Sequence, residues 1–152
     1  MQITSNFWLK EFLEGTSLPK EAIELNSIDN LTPEELIAIG VVANEVQYIR
    51  DVTKKEFGSD FQGFKITAGL RKLEWELKRG RSGKSQHTKG WAVDIQPICD
   101  DEKYMLIFNW IFNKFEPTFK GGFAKKEPNI KQGKKGFIHI DMRLTGRARW
   151  TY

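Results

Sequence analysis

Apolar residues recur at helical spacing at Leu36, Ile39, Ala43, Val46 and Ile49, and the residues ahead of them supply a start. Thr32 can cap, Pro33 suits the first helical position, and Glu35 can reach back to complete a capping box. The pattern predicts a long helix running to about Lys55, with this stripe buried and Gly58 ending it. Tyr104, Ile107, Phe108, Ile111 and Phe112 repeat the helical period, so a second helix is expected from Asp100 or Asp101, either of which can cap it, to about Phe115. Elsewhere the period shortens to two. Phe64 to Ala68 reads as a short strand, and Trp91 to Gln96 alternates, with Trp91, Val93 and Ile95 on one face and Ala92, Asp94 and Gln96 on the other. In Phe137 to Met142, Phe137, His139 and Asp141 share a face while Ile138, Ile140 and Met142 take the opposite one. Phe7, Leu9, Phe12 and Leu13 form a short anchoring segment, Pro19 to Asn30 is expected to be a loop with little regular structure, and Gly69 to Gly83 a long polar loop with a helical turn around Trp75. The sum is an α+β domain in which helices cover a small, mostly antiparallel sheet.

Length sharpens this picture, because 152 residues can bury one sizeable core but hardly two. One domain over residues 1–152 is expected, with a helical N-terminal part of about 1–60 and a sheet part of about 61–152. No apolar run is long enough to span a bilayer, and Met1 to Leu13 lacks the pattern of a secretory signal, so the expectation is a soluble monomer made in the cytoplasm. Charge is uneven. Residues 1–60 carry 5 basic and 11 acidic side chains, and residues 61–152 carry 19 and 9, so the second part favours a polyanionic partner such as nucleic acid or a bacterial wall polymer. A nucleic-acid-binding protein that uses this basic half, with Lys125, Lys126, Lys131, Lys134 and Lys135, is one alternative, but no recognition motif accompanies those lysines and a nucleic-acid partner is not the expectation.

The single cysteine, Cys99, cannot form an internal disulfide or a thiolate cluster, so a metal would be held by His and carboxylate. Only two histidines exist, and both sit in contexts suited to ligation: Ser85-Gln86-His87-Thr88-Lys89-Gly90-Trp91-Ala92-Val93-Asp94 and Phe137-Ile138-His139-Ile140-Asp141. An imidazole, a carboxylate seven residues on and a distant second imidazole suit a zinc ion that keeps its fourth position for water. His87, Asp94 and His139 are thus the candidate ligands of a metallohydrolase.

Ser85, His87, Gly90, Ala92 and Asp94 reproduce a Ser-x-His-x-x-Gly-x-Ala-x-Asp pattern that resembles the zinc D-alanyl-D-alanine peptidase family, which includes phage endolysins and shares its fold with the Hedgehog signalling domain. Ile66-Thr67-Ala68-Gly69-Leu70-Arg71 is similar to the family's Ile-Thr-Ser-Gly-Tyr-Arg segment, and the ending with Gly121-Gly122, His139-Ile140-Asp141 and Arg147-Ala148-Arg149-Trp150 is similar to its murein endopeptidase branch. The resemblance implies a Hedgehog/DD-peptidase-like fold with zinc on His87, Asp94 and His139. It implies hydrolysis of an amide in peptidoglycan stem peptides or cross-links, as a carboxypeptidase or endopeptidase, by a phage endolysin or related wall-lytic enzyme acting after release from the cell. It makes Arg71 the arginine that meets the substrate, neutralising an oxyanion or holding a stem-peptide carboxylate. Gly90 and Ala92 would keep bulk away from the metal, and Ser85 and Gln86 would support the His87 turn.

One departure stands out. Many family members place the general base three residues before the last histidine, where this chain has Gly136. Asp141, on the predicted face of His139, is the substitute, either taking the proton from water or orienting His139. The missing carboxylate also supports an alternative, a non-catalytic Hedgehog-like zinc module that binds a wall polymer or protein. Trp91 and Trp150 could line a substrate groove, although aromatics at such spacing more often belong to the core.

Overall fold

Alternation at two residues builds the sheet. In the computed structural model, which describes Met1–Tyr152, five strands form one sheet: β1 (Gly63–Ala68), β2 (Ala92–Ile98), β3 (Gly122–Lys126), β4 (Phe137–Asp141) and β5 (Ala148–Thr151). Their order is β1-β2-β4-β3-β5. The first three pairings are antiparallel and β3 runs parallel to β5, which makes the sheet mixed.

Register decides what each face carries, because residues directly opposite on paired strands point the same way. Val93 pairs with Ile140 and Ile95 with Ile138, while Phe123 also opposes Ile140 and Ile66 opposes Ile95. Those side chains form an apolar face. On the reverse, Asp94 pairs with His139 and Ala92 with Asp141, Gly122 opposes Asp141 and Ala124 opposes His139, and Trp150 lies opposite Ala124.

Two helices cover the apolar face. Helices α1 (Leu9–Leu13), α2 (Lys20–Leu25), α3 (Pro33–Phe57), α4 (Leu73–Lys78) and α5 (Asp101–Phe115) follow the chain. A core of 23 buried residues joins Ile39, Val42, Val46 and Ile49 of α3, Tyr104, Ile107, Phe108 and Ile111 of α5, and Val93, Ile95, Phe123, Ile138 and Ile140 of the sheet. Each such side chain, taken fully from water, contributes on the order of 1.5–3 kcal/mol. Phe7, Leu9, Phe12 and Leu13 of the N-terminal segment enter the same core.

The start of α3 is as its sequence predicts: Thr32 Oγ1 accepts from Glu35 N at 3.1 Å and Glu35 Oε2 accepts from Thr32 N at 2.9 Å. Gly58 ends it with φ +55. The expected stripe is buried at Ile39, Ala43, Val46 and Ile49 but fails at its first position. Leu36 is exposed, and Ala38, Ile39, Val42, Ala43, Val46, Ile49 and Thr53 face inward. Residues 19–30 are also more regular than expected, holding α2 and a 3-10 turn at Ile28–Asn30. Asn26, fully buried, explains why: its Nδ2 donates to Leu13 O at 2.9 Å and Leu70 O at 2.6 Å, tying this segment to the chain on either side. The strands β3 and β5 have no counterpart in the sequence prediction. No helix is long and apolar enough to cross a membrane.

Candidate metal centre

The strand pairing that sets Asp94 opposite His139 brings their side chains into contact, with His139 Nδ1 and Asp94 Oδ1 2.8 Å apart. His87 arrives from a different element. It sits in a 3-10 turn at Gln86–Lys89 that leads into β2, and Ser85 caps that turn by accepting from His87 N at 3.3 Å. Gly90 closes the turn with φ +76, a left-handed conformation that glycine adopts without steric cost. A Cβ there would stand 3.0 Å from Glu35 O and 3.2 Å from Ile39. Gly90 is therefore small for the sake of the turn and its packing on α3, and the expectation that it clears space around the metal is corrected.

The loop after β1 fixes the imidazole. His87 Nδ1 lies 2.6 Å from Gly69 O, which can only accept, so Nδ1 carries the proton and Nε2 keeps a lone pair. Arg71 N donates to His87 O at 3.0 Å, lacing the same loop to the turn. His87 Nε2 then stands 3.3 Å from His139 Nδ1 and 3.4 Å from Asp94 Oδ1. The three side chains are buried and close enough to hold a metal ion.

The donor triangle is chemically specific. Ligands about 2.0–2.1 Å from a tetrahedral zinc lie about 3.3–3.4 Å from one another. Two edges, at 3.3 and 3.4 Å, fit that value, and the third, at 2.8 Å, needs only a small opening. Three lone-pair-bearing atoms facing one another also repel unless a proton or a cation lies between them. Burial holds the His87 pKa below its ordinary value, which keeps the ring neutral. Burial pushes the Asp94 carboxyl upward, but the two imidazoles outweigh it and hold it well below the usual carboxylate range. For His139 burial favours the neutral ring, yet hydrogen bonds to Asp141 and Asp94 prevail and raise its pKa.

Asp141 meets the other nitrogen of the same ring. Its Oδ2 lies 3.0 Å from His139 Nε2. Oδ1 accepts from Gly122 N at 3.1 Å and from Arg143 N at 3.2 Å, and the Arg143 guanidinium grips both oxygens from 2.7 and 2.5 Å. Burial alone would raise the Asp141 pKa, but Arg143 and His139 hold it well below the carboxylate range. Gly122 must be glycine here, since any Cβ would occupy the space of the Asp141 carboxylate. With no exposed surface and both oxygens engaged, Asp141 has the geometry of a carboxylate that orients a ligand.

A cleft of about 320 Å³ adjoins the cluster, lined by Asp94, Ala68, Phe137, Tyr152 and the cations Arg71, Arg79, Arg81 and Lys126. Arg71 Nη2 donates to Ser85 Oγ at 3.3 Å, so the serine braces both the His87 turn and the arginine. Gln86 supports that turn through its backbone, where its carbonyl accepts from Trp91 N at 3.1 Å. Gly136 stands at the foot of β4, its carbonyl accepting from Gln96 Nε2 at 2.6 Å. Trp150 places its ring 5.0 Å from that of His139, while Trp91 lines a separate surface depression with Gln86, Lys89 and Met142. Neither tryptophan lines the cleft beside Asp94.

Sequence reasoning missed Arg143, Tyr152 and Glu76. The signal for the first was its position two residues beyond Asp141. Tyr152 continues the alternation of Ala148 and Trp150, and its ring centroid lies 6.3 Å from that of His139. Compared with known proteins, the chain matches no family profile, and no curated protein or solved structure is similar enough to count as a match.

Proposed function

We propose that the protein is a zinc metallopeptidase with a Hedgehog/DD-peptidase-like fold, hydrolysing an amide in peptidoglycan stem peptides or cross-links as a phage endolysin or related wall-lytic enzyme. The convergence of His87 Nε2, His139 Nδ1 and Asp94 Oδ1 into one buried triangle of zinc-like dimensions carries the reading. The motif around those residues supplies the substrate class.

His87, Asp94 and His139 would hold the ion. When bound, zinc supplies Lewis acidity toward a carbonyl and lowers the pKa of a coordinated water toward neutrality. Two neutral imidazoles and one carboxylate leave a dication with a net positive charge, which preserves that acidity. Gly69 O and Asp141 hold the two rings in the orientation and tautomer that ligation requires. Arg71 shares the cleft with Asp94, so its guanidinium is positioned to hold a substrate carboxylate or to balance negative charge developing on the scissile carbonyl. Asp94 is the only carboxylate lining that cleft. We therefore assign Asp141 to orienting His139, and not to accepting a proton from water.

The experiment is mass-spectrometric analysis of purified peptidoglycan after digestion with zinc-loaded protein, chelator-stripped protein and His87→Ala. New muropeptides with the zinc-loaded wild type alone are expected, and their masses identify the bond. Retained zinc with no digestion would overturn the peptidase reading in favour of a non-catalytic zinc module.

A further inference from the structure

Arg71 is the only cation of the cleft that the proposed hydrolysis uses, yet Arg79, Arg81 and Lys126 line it as well. Arg79 lies against the face of Trp75, 5.7 Å from the ring centroid, and in β3 it is Lys125, not Lys126, that pairs with Glu127. Asp141 is paired with Arg143 outside the cleft, which leaves two carboxylates to face the cleft's own cations: Asp94, within the candidate ligand cluster, and Glu76, in contact with Arg71 and Arg81. Four cations against these two carboxylates leave an excess of positive charge in the cleft, and any metal dication would add to it.

Glu76 makes the arrangement unusual. Its side chain is 2% exposed, and its two oxygens face different arginines: Oε1 is 3.6 Å from Arg71 Nε, and Oε2 is 3.6 Å from Arg81 Nη1. Arg71 Nε and Glu76 Oε1 are both buried without a hydrogen-bond partner. A buried carboxylate is costly to desolvate, and ion pairs that stop short of hydrogen bonding offset that cost poorly. Such a contact contributes little to fold stability for its cost. It does hold two guanidinia at a fixed spacing on one anchor, at the edge of a cleft that adjoins the ligand cluster.

We propose that the cleft is a dicarboxylate-binding site, in which Arg71 and Arg81, spaced by Glu76 and joined by Arg79 and Lys126, select peptides bearing two free carboxylates near the scissile amide. This rests on reading the metal centre as a peptidoglycan peptidase. Arg81 is the specificity determinant, because Arg71 can satisfy only one carboxylate in bidentate fashion. Glu76 is a positioning residue that acts through both arginines. The ligand class is an acidic stem peptide, and the same peptide with one carboxylate capped as a carboxamide is discriminated against.

Two synthetic stem pentapeptides test this, one with a free carboxylate on its glutamyl residue and one with a carboxamide there, both with a free C-terminus. Cleavage by the zinc-loaded chain is read as kcat/KM, and binding to the chelator-stripped chain by calorimetry. The expected preference for the acid is about tenfold or more in both readouts, the scale of a charge-assisted hydrogen bond. Arg81→Ala and Glu76→Gln should each reduce that preference below about threefold, with zinc content unchanged as the check on folding. Arg81 is half-exposed, so its truncation leaves the core intact should Glu76→Gln misfold. Equal affinity for the two peptides, or binding of neither, overturns the dicarboxylate site. Equal cleavage of both overturns it while leaving the peptidase standing, and acid-selective binding without cleavage does the reverse.

Discussion

The two faces of the one sheet are built from alternate residues of the same strands and have opposite demands. Val93, Ile95, Phe123, Ile138 and Ile140 are all fully buried under α3 and α5 and need only volume and apolarity. One residue away in each case, Asp94, His139 and Asp141 are also buried but polar, with Asp94 reaching the cleft, and Ala92, Gly122 and Ala124 beside them are small. The apolar face contributes stability by removing surface from water. The polar face draws on that stability, since together with the His87 turn it holds two imidazoles and two carboxylates out of water at fixed separations. A site of this kind belongs on strands because pairing fixes Asp94 against His139 before any side-chain choice is made.

Substitutions on each face should therefore fail in different ways. His139→Ala removes a ligand, and we expect loss of stoichiometric zinc and of hydrolysis while urea denaturation still shows a cooperative fold. Retention of one tightly held zinc per chain would contradict the assignment. Ile140→Ala, the next residue, should cost about 2–5 kcal/mol of stability in the same denaturation experiment, while the folded fraction still binds one zinc. A loss of zinc without destabilisation would erase the distinction between the faces.

How far each face was legible in the sequence follows the same division. The candidate ligands stood out as the only two histidines and a carboxylate in one short motif, and the α3 cap and strands β1, β2 and β4 could be read locally, because alternation and capping are short-range signals. Strand β3 could not: Gly122 and Ala124 are small to clear the site and Lys126 is polar, so no apolar alternation survives. Strand β5 is an edge strand whose parallel partner is contributed by a segment more than twenty residues away, a relation that no local period encodes. Leu36 fits the helical stripe but sits in the first turn of α3, where it is exposed. Regular structure in residues 19–30 depends on the buried Asn26 amide, whose partners Leu13 and Leu70 become neighbours only on folding. The orienting geometry of Asp141 likewise depends on Gly122 and Arg143 arriving from either side.

Smaller changes sharpen the contrast within the polar face. Asp141→Asn keeps the shape but weakens the acceptor for His139 Nε2, and zinc affinity should fall about 10–100-fold, as read by competition with a chromophoric chelator. Unchanged affinity would mean that the Asp141–His139 contact is incidental. The pH dependence of zinc affinity has a definite sign. Hydrogen bonds to Asp141 and Asp94 outweigh burial and raise the His139 pKa, so the metal-free protein retains a proton there above the ordinary value of about 6.5. Zinc must displace it from Nδ1. Affinity should rise with pH below the raised value, by up to about tenfold per unit, and level off above it. By the same linkage, this proton's contribution to the stability of the metal-free fold is full below about 6.5 and disappears as pH climbs through the raised value. Flat affinity across that window would count against a His139 ligand. The smallest effect belongs to a site remote from either face: Thr32→Ala removes the α3 cap and should cost about 1 kcal/mol in thermal or urea unfolding, with zinc affinity untouched.

X-ray absorption spectroscopy of the zinc-loaded protein, compared with His87→Ala, tests the metal centre most directly. The account predicts a four-coordinate ion with two imidazoles and oxygen donors at about 2.0–2.1 Å, and the loss of one imidazole from the variant's spectrum or of its zinc altogether. An all-oxygen shell, or an imidazole count that does not change on substitution of His87, would contradict it.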